Sequence, residues 1–147
     1  TPFVSKAELQ RVPFFIRVPG IEGGVNHTYG GQIDILPTLL HLLGVETKDY
    51  VHFGTDLLSP EHIEVVPFRN GEFVSPTITY VADKYYDSQT GLPLEEGQLD
   101  EAYKYHQFVQ DRLEFSDRVV NGDLLRFYTP ENFTPVDRSE YNYMKSE

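Results

Sequence analysis

The chain has 147 residues, of which 39% are hydrophobic and 14% aromatic, enough for one folded domain with a core and too apolar for a disordered chain. Its formal net charge of −11, from 23 acidic and 12 basic residues, argues against a nucleic-acid partner or an anionic membrane surface. No apolar run reaches the length of a transmembrane segment, and no cysteine is present to form a disulfide. The sequence begins with Thr1 instead of Met, so we expect Thr1 to be a cleavage boundary within a longer protein.

A buried strand is predicted near the start of the chain, after a polar connecting loop over residues 1–9. The sequence RVPFFIRVPG, residues 11–20, contains a nearly continuous apolar run that Pro19 and Gly20 end. Such a run, without polar alternation, is typical of a strand covered on both faces in a parallel sheet. The chain encodes no neighbouring strands for it, so we expect this strand to belong to the sheet of a larger domain.

An amphipathic helix is predicted next, over residues 34–43. Its apolar stripe has helical spacing and consists of Leu36, Leu39, Leu40 and Leu43. Pro37 suits the first turn, where its missing N–H costs little, and Asp34 is placed to accept N–H groups at the helix start. Gly44 supplies a left-handed stop at the other end.

An antiparallel meander of three or four strands is predicted over residues 63–86, which are rich in Val, Ile, Thr, Tyr and Phe. Asn70–Gly71, between VVPFR and EFV, is typical of a type I′ hairpin turn in which both residues have positive φ. Residues 77–81 alternate with period two, and Ala82–Asp83 provides a second turn into the sequence KYY.

A long helix is predicted from about residue 98 to a stop at Asn121–Gly122. Its predicted buried stripe consists of Leu99, Ala102, Tyr103, His106, Val109, Leu113, Ser116 and Val120. The apolar residues within 124–128 are expected to dock back on the sheet, and the remainder to form a surface tail. We therefore predict three parts: a strand and helix piece over 1–59, a sheet with a long helix over 60–128, and a tail over 129–147.

The sequence contains none of the motifs G-x-S-x-G, H-E-x-x-H or S-x-x-K, and its five histidines are scattered. No catalytic residue and no metal ligand is therefore assigned. His27, in the glycine-rich link before the first helix, is the one candidate for the rim of a substrate site. A solvated loop histidine is the competing interpretation, because one histidine without partners is not a ligand set.

Three other pairs of polar residues are interpreted without a metal or ligand site. His52 and Asp56 would align on a helix, but the intervening Gly54 argues against a helix and hence against a metal pair. Glu61–His62 and Glu95–Glu96 are interpreted as solvated surface pairs, because adjacent residues in a loop rarely point at one ligand.

Several longer segments resemble known proteins. RVPFFIRVPG followed by GGQIDILPTLLHLLGVETKDY resembles the C-terminal part of the sulfatase and alkaline-phosphatase superfamily, where a strand after a metal-binding Asp-His pair precedes a helix of similar sequence. More narrowly, FGTDLLSPEH, VVPFRNGEFVSP and DRVVNGDLLRFY resemble the extracellular domain of lipoteichoic acid synthases. These are membrane-anchored phosphoglycerol transferases of Gram-positive bacteria, and the resemblance extends from about residue 9 to residue 128.

The resemblance implies a fold class and a parent activity. The fold would be α/β: the C-terminal strand and helix of an alkaline-phosphatase-like sandwich, followed by a small antiparallel meander packed with a long helix. The parent would move glycerol phosphate from phosphatidylglycerol onto lipoteichoic acid, or onto its glycolipid primer, through a phosphothreonine. It would act at the outer face of the membrane or in the cell wall, or after secretion by cleavage.

The implied catalytic groups map onto no residue of this chain. Family members use a threonine nucleophile and a divalent metal, usually manganese, held by a glutamate, that threonine and an Asp-His pair. All four are expected upstream of residue 1, so the chain alone is expected to bind no metal and to be inactive. Thr38 lies in the first turn of a leucine-lined helix, where local hydrogen bonding is favoured over a nucleophilic role.

Two hypotheses of different class follow. In the first, the chain is the C-terminal portion of a phosphoglycerol transferase, and its partner is the remainder of the parent catalytic domain. In the second, it is a non-catalytic binding or structural module of the cell envelope. The isolated strand and helix at the start favour the first hypothesis, because such a strand needs a neighbouring sheet.

Overall fold

The computed structural model describes residues 10–131 and 134, and there it combines two α-helices with a four-stranded antiparallel sheet. In chain order the elements are α1 (Ile35–Leu42), β1 (Val66–Pro67), β2 (Phe73–Val74), β3 (Ile78–Val81), β4 (Lys84–Asp87) and α2 (Leu99–Asn121). Short 3-10 turns lie at Gln32–Asp34, Glu96–Gln98 and Leu124–Phe127. The predicted order of helix, antiparallel meander and long helix is confirmed. The predicted loop over 1–9 and most of the predicted tail lie outside the described residues.

The sheet is an up-and-down meander in which each strand pairs with its neighbour in the chain. Val74 of β2 lies opposite Val66 of β1 on one side and opposite Thr79 of β3 on the other. The ladder between β3 and β4 is the longest and ends with Val81 opposite Lys84. Because all connections within the sheet are short, its register is fixed by its turns.

The turn between β1 and β2 differs from the prediction. Gly71 N–H donates to Phe68 O at 3.0 Å and Phe68 N–H donates to Glu72 O at 2.8 Å, which closes a three-residue loop. Within that loop only Gly71 has a positive φ, of 86°, so the predicted type I′ turn at Asn70–Gly71 is wrong. A type I turn followed by a left-handed glycine is the common solution for a three-residue hairpin loop.

The type I′ turn lies instead between β3 and β4. Ala82 and Asp83 have φ values of 50° and 58°, and the flanking Val81 and Lys84 pair directly. A two-residue loop must match the right-handed twist of its strands, and this requires left-handed backbone at both positions. The predicted turn at this position is confirmed, with two residues that are not glycine.

The hydrophobic core lies between the sheet and α2. Its buried members are Val65, Phe73, Ile78, Ala102 and Val109, and Tyr80, Tyr85, Leu94, Leu99, Tyr105, Phe108 and Leu113 pack around them. Phe73 is fully buried, and its ring stacks on Tyr80 at 5.8 Å and meets Tyr105 edge-on at 6.3 Å. All these residues lie between Val65 and Leu113, a part of the chain that therefore has a core of its own.

The buried face of α2 differs partly from the predicted stripe. Ala102 and Val109 are buried as predicted, whereas Tyr103 and Val120 are 55% and 67% exposed. Tyr103 and Val120 each follow a buried residue directly in the chain, and consecutive helical residues point about 100° apart. The helix ends after Asn121 as predicted, but the left-handed residue is Asp123, with a φ of 48°.

Helix α1 forms where it was predicted, but its leucine stripe is not buried. Leu36 and Leu43 are 57% and 74% exposed, whereas Pro37 and Thr38 are buried. Gly44 has a φ of 70° and its N–H donates to His41 O, so the predicted left-handed stop is confirmed. The leucines face solvent because no described part of the chain lies over them.

The predicted strand over residues 11–20 does not form. The chain there has no strand assignment, and the exposed fractions of Val12, Phe14, Phe15 and Ile16 are 58%, 43%, 88% and 41%. A strand requires a hydrogen-bonding partner, and none of the described residues supplies one to this segment. This segment thus has the apolar character of a buried strand, but the described residues offer it no sheet.

The segment after α2 also differs from its prediction. Leu125 and Phe127 are 56% and 80% exposed, so the predicted docking of residues 124–128 on the sheet is wrong. The 3-10 turn packs against α2 instead, and the Tyr128 hydroxyl donates to Asp49 O. The left-handed Asp123 redirects the chain before it can reach the sheet.

Candidate functional site

The described residues with the densest polar contacts lie between residues 29–38 and 54–64. We call the hydrogen bonds that join these two segments the Asp34–His62 network. Its buried centre is the Asp34 carboxylate, which is only 4% exposed. Asp34 Oδ2 accepts the Gly31 N–H at 2.8 Å and Oδ1 accepts the Thr55 N–H at 2.7 Å. These two bonds compensate the carboxylate for its lost hydration.

Asp34 was predicted to receive N–H groups at the start of α1, and its Oδ2 does accept the Gly31 N–H at the 3-10 turn that leads into this helix. Asp34 lies at the N-cap of α1, but its side chain makes no capping bond to that helix. It joins the turn before the helix to Thr55, which is 21 positions away in the chain. The carboxylate therefore holds two distant segments together.

Thr38 extends the network from the helix side. Its hydroxyl donates to Asp34 O at 2.6 Å and accepts the Leu57 N–H at 2.9 Å, and the residue is 1% exposed. The predicted local hydrogen bonding of Thr38 is confirmed.

Two glycines let the backbones of these segments approach closely. A Cβ atom at Gly54 would lie 2.0 Å from Ile33 O, and one at Gly30 would lie 2.3 Å from Leu57 Cδ2. The Gly54 contact is with backbone and cannot be relieved by a side-chain movement. Gly54 is thus required by the close approach of the two segments.

His62 joins the network at its outer end. Its Nδ1 is 2.6 Å from Thr55 Oγ1 and its Nε2 is 2.8 Å from Tyr29 O. Its neighbour Glu64 accepts the Tyr29 N–H at 2.8 Å through Oε2. The interpretation of Glu61–His62 as a solvated pair is therefore wrong for His62, because both ring nitrogens have protein partners.

The sequence did not reveal the role of His62, because its partner Tyr29 is 33 positions away. No local spacing reports such a contact. The available signals were Gly30 and Gly54, whose close approaches to Leu57 and Ile33 only the fold discloses.

The other predicted polar residues are dispersed. His27 is exposed, in the loop that precedes the network. His52 Nδ1 lies 2.9 Å from Gly54 O, and Asp56 pairs with His41 at 2.5 Å, so His52 and Asp56 do not share a ligand. Glu95 and Glu96 are both exposed, as the interpretation of a solvated pair requires. Among residues 10–131 and 134, no three acidic or histidine side chains are grouped so that they could hold a metal ion.

A second polar feature lies inside the aromatic core. Tyr85 Oη is 2.8 Å from His106 Nδ1, and Gln110 Nε2 is 2.9 Å from His106 Nε2. Desolvation by burial raises the pKa of the Tyr85 phenol. The prediction that His106 is a packed, hydrogen-bonded residue is confirmed, and this cluster stabilises the contact between α2 and the sheet.

An open groove of about 710 Å³ lies between the first hairpin and the C-terminal half of α2. Arg69 and Asp117 form an ion pair across it. Arg118 and Glu114 also line the groove, so that it carries both signs of charge. This mixture favours no particular class of charged ligand.

Comparison with known proteins shows which proteins this chain is related to. No protein-family model matches the chain. Lipoteichoic acid synthase 2 of Bacillus subtilis (strain 168) is 51% identical over 143 residues, which cover 97% of this chain. Lipoteichoic acid synthase 1 of the same strain is 49% identical over 143 residues, and the lipoteichoic acid synthase of Staphylococcus saprophyticus is 46% identical over 136 residues, or 92% of this chain.

This chain is homologous to a segment of the lipoteichoic acid synthases. It spans only 21–22% of the length of these three relatives. The resemblance noted in the sequence is thereby confirmed at the level of the family. In the described part of this chain, no helix has the length and hydrophobicity needed to cross a bilayer.

Proposed function

We propose that this chain is the C-terminal part of the catalytic domain of a phosphoglycerol transferase. The parent would transfer glycerol phosphate from phosphatidylglycerol to lipoteichoic acid, or to its glycolipid primer, at the outer face of the membrane. The observation that carries the proposal is the identity of 46–51% to lipoteichoic acid synthases over 92–97% of the chain.

The proposed reaction has two displacements. A threonine oxygen of the parent would attack the phosphorus and release diacylglycerol, which takes the threonine proton. A hydroxyl of the acceptor would then attack the same phosphorus, free the threonine and return a proton to it. Splitting one displacement into two through a covalent intermediate is a common enzymatic strategy.

The described residues do not fit the manganese ion that this family implies. No cluster of three ligands exists among residues 10–131 and 134, and His41, His52 and His62 each contact a different partner. None of these residues is therefore assigned a role in holding a metal. The metal ligands and the threonine nucleophile are proposed to lie in parent sequence upstream of residue 1.

The proposed contribution of this chain begins with its two exposed apolar surfaces. Phe14 and Ile16 are 43% and 41% exposed in the segment that failed to form a strand, and Leu36 and Leu39 are 57% and 37% exposed on α1. Contiguous exposed apolar residues mark interaction surfaces. We propose that residues 11–18 become a strand in the sheet of the parent domain, and that α1 covers that sheet with its leucines.

The same arrangement gives His27 a place in the parent. Ligands of open α/β sheets bind beyond the carboxyl ends of the strands, in the loops that lead to the following helices. Residues 19–31 form such a loop between the proposed strand and α1. We propose that the exposed His27 contacts the phosphodiester substrate from the rim of the parent site.

The proposed division of the chain follows the distribution of its core. The buried apolar cluster contains residues from Val65 to Val109 and none from the α1 region. We propose that residues 1–59 belong to the catalytic domain, that residues 60–128 form an accessory unit of sheet and long helix, and that 129–147 form a surface tail.

The proposal is tested by comparing the parent protein with this chain in one assay. Purified parent, supplied with manganese and a phosphatidylglycerol carrying a fluorescent acyl chain, should release labelled diacylglycerol. This chain alone should release none, because the nucleophile and the metal ligands are proposed to lie upstream of residue 1. Absence of turnover by the parent would refute the proposed activity, and metal-dependent turnover by the isolated chain would refute the proposed location of the catalytic groups.

A further inference from the structure

The backbone of Tyr29 is held on both sides by side chains from another segment. Its N–H donates to Glu64 Oε2 at 2.8 Å, and its carbonyl oxygen lies 2.8 Å from His62 Nε2. Glu64 and His62 are 35 and 33 positions away in the chain. Tyr29 lies two residues after the exposed His27, so these two contacts fix one end of the loop that carries it.

The loop end is fixed at the two following residues as well. Gly31 N–H donates to Asp34 Oδ2 at 2.8 Å, and Gly30 packs so closely on Leu57 that a Cβ there would lie 2.3 Å from Leu57 Cδ2. Tyr29 and Gly30 are therefore positioned by contacts with distant segments, and Gly31 by a local bond to Asp34, which in turn accepts the Thr55 N–H. By contrast, a Cβ atom added at Gly23 or Gly24, earlier in the same loop, would have no atom within 4 Å.

The geometry of His62 determines what it can do. A carbonyl oxygen only accepts hydrogen bonds, so the ring nitrogen that faces Tyr29 O, Nε2, carries a proton. In the neutral imidazole, Nδ1 then accepts from the Thr55 hydroxyl at 2.6 Å. Neither nitrogen is left for a substrate, which assigns His62 a positioning role and no catalytic one.

We infer that His62 is a positioning residue that holds the loop carrying His27 in the orientation in which it contacts the phosphodiester substrate. This inference rests on the proposed function, because it concerns the rim of the same site. A loop that is fixed before the substrate arrives loses less conformational entropy on binding, so fixing it favours substrate affinity.

The test uses two substitutions at His62 in the parent enzyme. The amide nitrogen of glutamine occupies roughly the position of histidine Nε2, and that of asparagine the position of Nδ1. His62→Gln therefore retains the donor to Tyr29 O, whereas His62→Asn retains only the contact with Thr55. We expect His62→Asn to raise KM by about tenfold, the scale of one lost hydrogen bond, with a smaller change in kcat. His62→Gln should restore most of the loss.

A double-mutant cycle with His27→Ala separates positioning from general destabilisation. If His62 acts through the His27 loop, His62→Asn should have little further effect on KM in the His27→Ala background. Hydrogen exchange of the amides at 28–31 should accelerate in His62→Asn while that of α2 is unchanged.

Two results would overturn the inference. Additive effects of the two substitutions would show that His62 does not act through His27, and equal KM values for the Asn and Gln variants would show that the Tyr29 contact is irrelevant. Neither result affects the proposed function, which is tested by turnover of the unsubstituted parent. If that parent has no turnover, the proposed function fails, and this inference fails with it, because it concerns the rim of the same site.

Discussion

A comparison of Gly71 with Gly97 separates the effect of backbone conformation at a single residue from that of side-chain contacts. A Cβ at either position would meet no atom within 4 Å, but only Gly71 has a positive φ, of 86°. We expect Gly71→Ala to lower the free energy of unfolding by about 1 kcal/mol, because an L-residue is strained in this region. Gly97→Ala should be neutral or slightly stabilising. Urea denaturation of the two variants measures the difference.

The matched pair also gives a clear contrary outcome. Equal free energies of unfolding for Gly71→Ala and Gly97→Ala would show that the left-handed conformation of Gly71 is not maintained in solution. Gly71→Val should be at least as destabilising as Gly71→Ala, because a β-branched side chain is the least compatible with positive φ.

The conformations of the two hairpin turns were predictable from the sequence only in part. The sequence Asn70–Gly71 correctly indicated a hairpin, but the loop closes around three residues, and Gly71 alone takes the left-handed position. Ala82 and Asp83 adopt the type I′ conformation although neither is glycine. Pairing along β3 and β4 sets that loop length, and such a tertiary requirement overrides local preference.

The leucine face of α1 gives a prediction at the scale of an element. Leu36 and Leu39 are exposed here, and we propose that the parent sheet covers them. In this chain alone, the double variant Leu36→Ser/Leu39→Ser should change the free energy of unfolding by less than about 1 kcal/mol. In a pull-down with the separately expressed remainder of the parent, the same variant should lose association.

Phe73→Ala provides the control for the stability measurement on the leucine variant. Phe73 is 0% exposed at the centre of the core, so its truncation should cost about 3–5 kcal/mol. Unchanged association of the leucine variant with the remainder would contradict the proposed role of α1. A large loss of stability in the isolated variant would contradict the exposure of this face.

The helices were predicted well in extent and less well in the surfaces they bury. Helical period and glycine stops located α1 and α2, because both signals are local. The leucine spacing of α1 did not predict its buried side, where Pro37 and Thr38 lie. On α2, the spacing alone did not distinguish Tyr103, which is exposed, from Tyr105, which packs on the core.

At the scale of the whole molecule, the two halves of the chain should differ in local stability. Residues 12–18 lack strand pairing in the described chain, whereas residues 99–121 form a helix packed on an apolar core. In hydrogen exchange of a dilute, monomeric sample, we expect the first segment to exchange rapidly and the helix to be protected. Equal protection of the two segments would show that residues 12–18 have found a partner within the chain.

The sequence indicated the order of the parts and the family, and it did not indicate the contacts between distant segments. The apolar run over residues 11–20 was interpreted as a strand because it has the composition of one. Strand formation, however, depends on a neighbour, and the described chain provides none. The His62 contact with Tyr29 was missed for the same reason, since it is a property of the folded chain and not of either segment.

The up-and-down order of the sheet has a consequence for folding kinetics. Each strand pairs with its chain neighbour, and chains rich in such local pairings fold fast because little loop entropy is lost before contacts form. The sheet and α2 then dock through a large aromatic core. The hydrogen bonds of the Asp34–His62 network span up to 35 positions, and each contributes about 0.5–1.5 kcal/mol net. We therefore expect the segment around Tyr29 to acquire its shape last, on a sheet that has already formed.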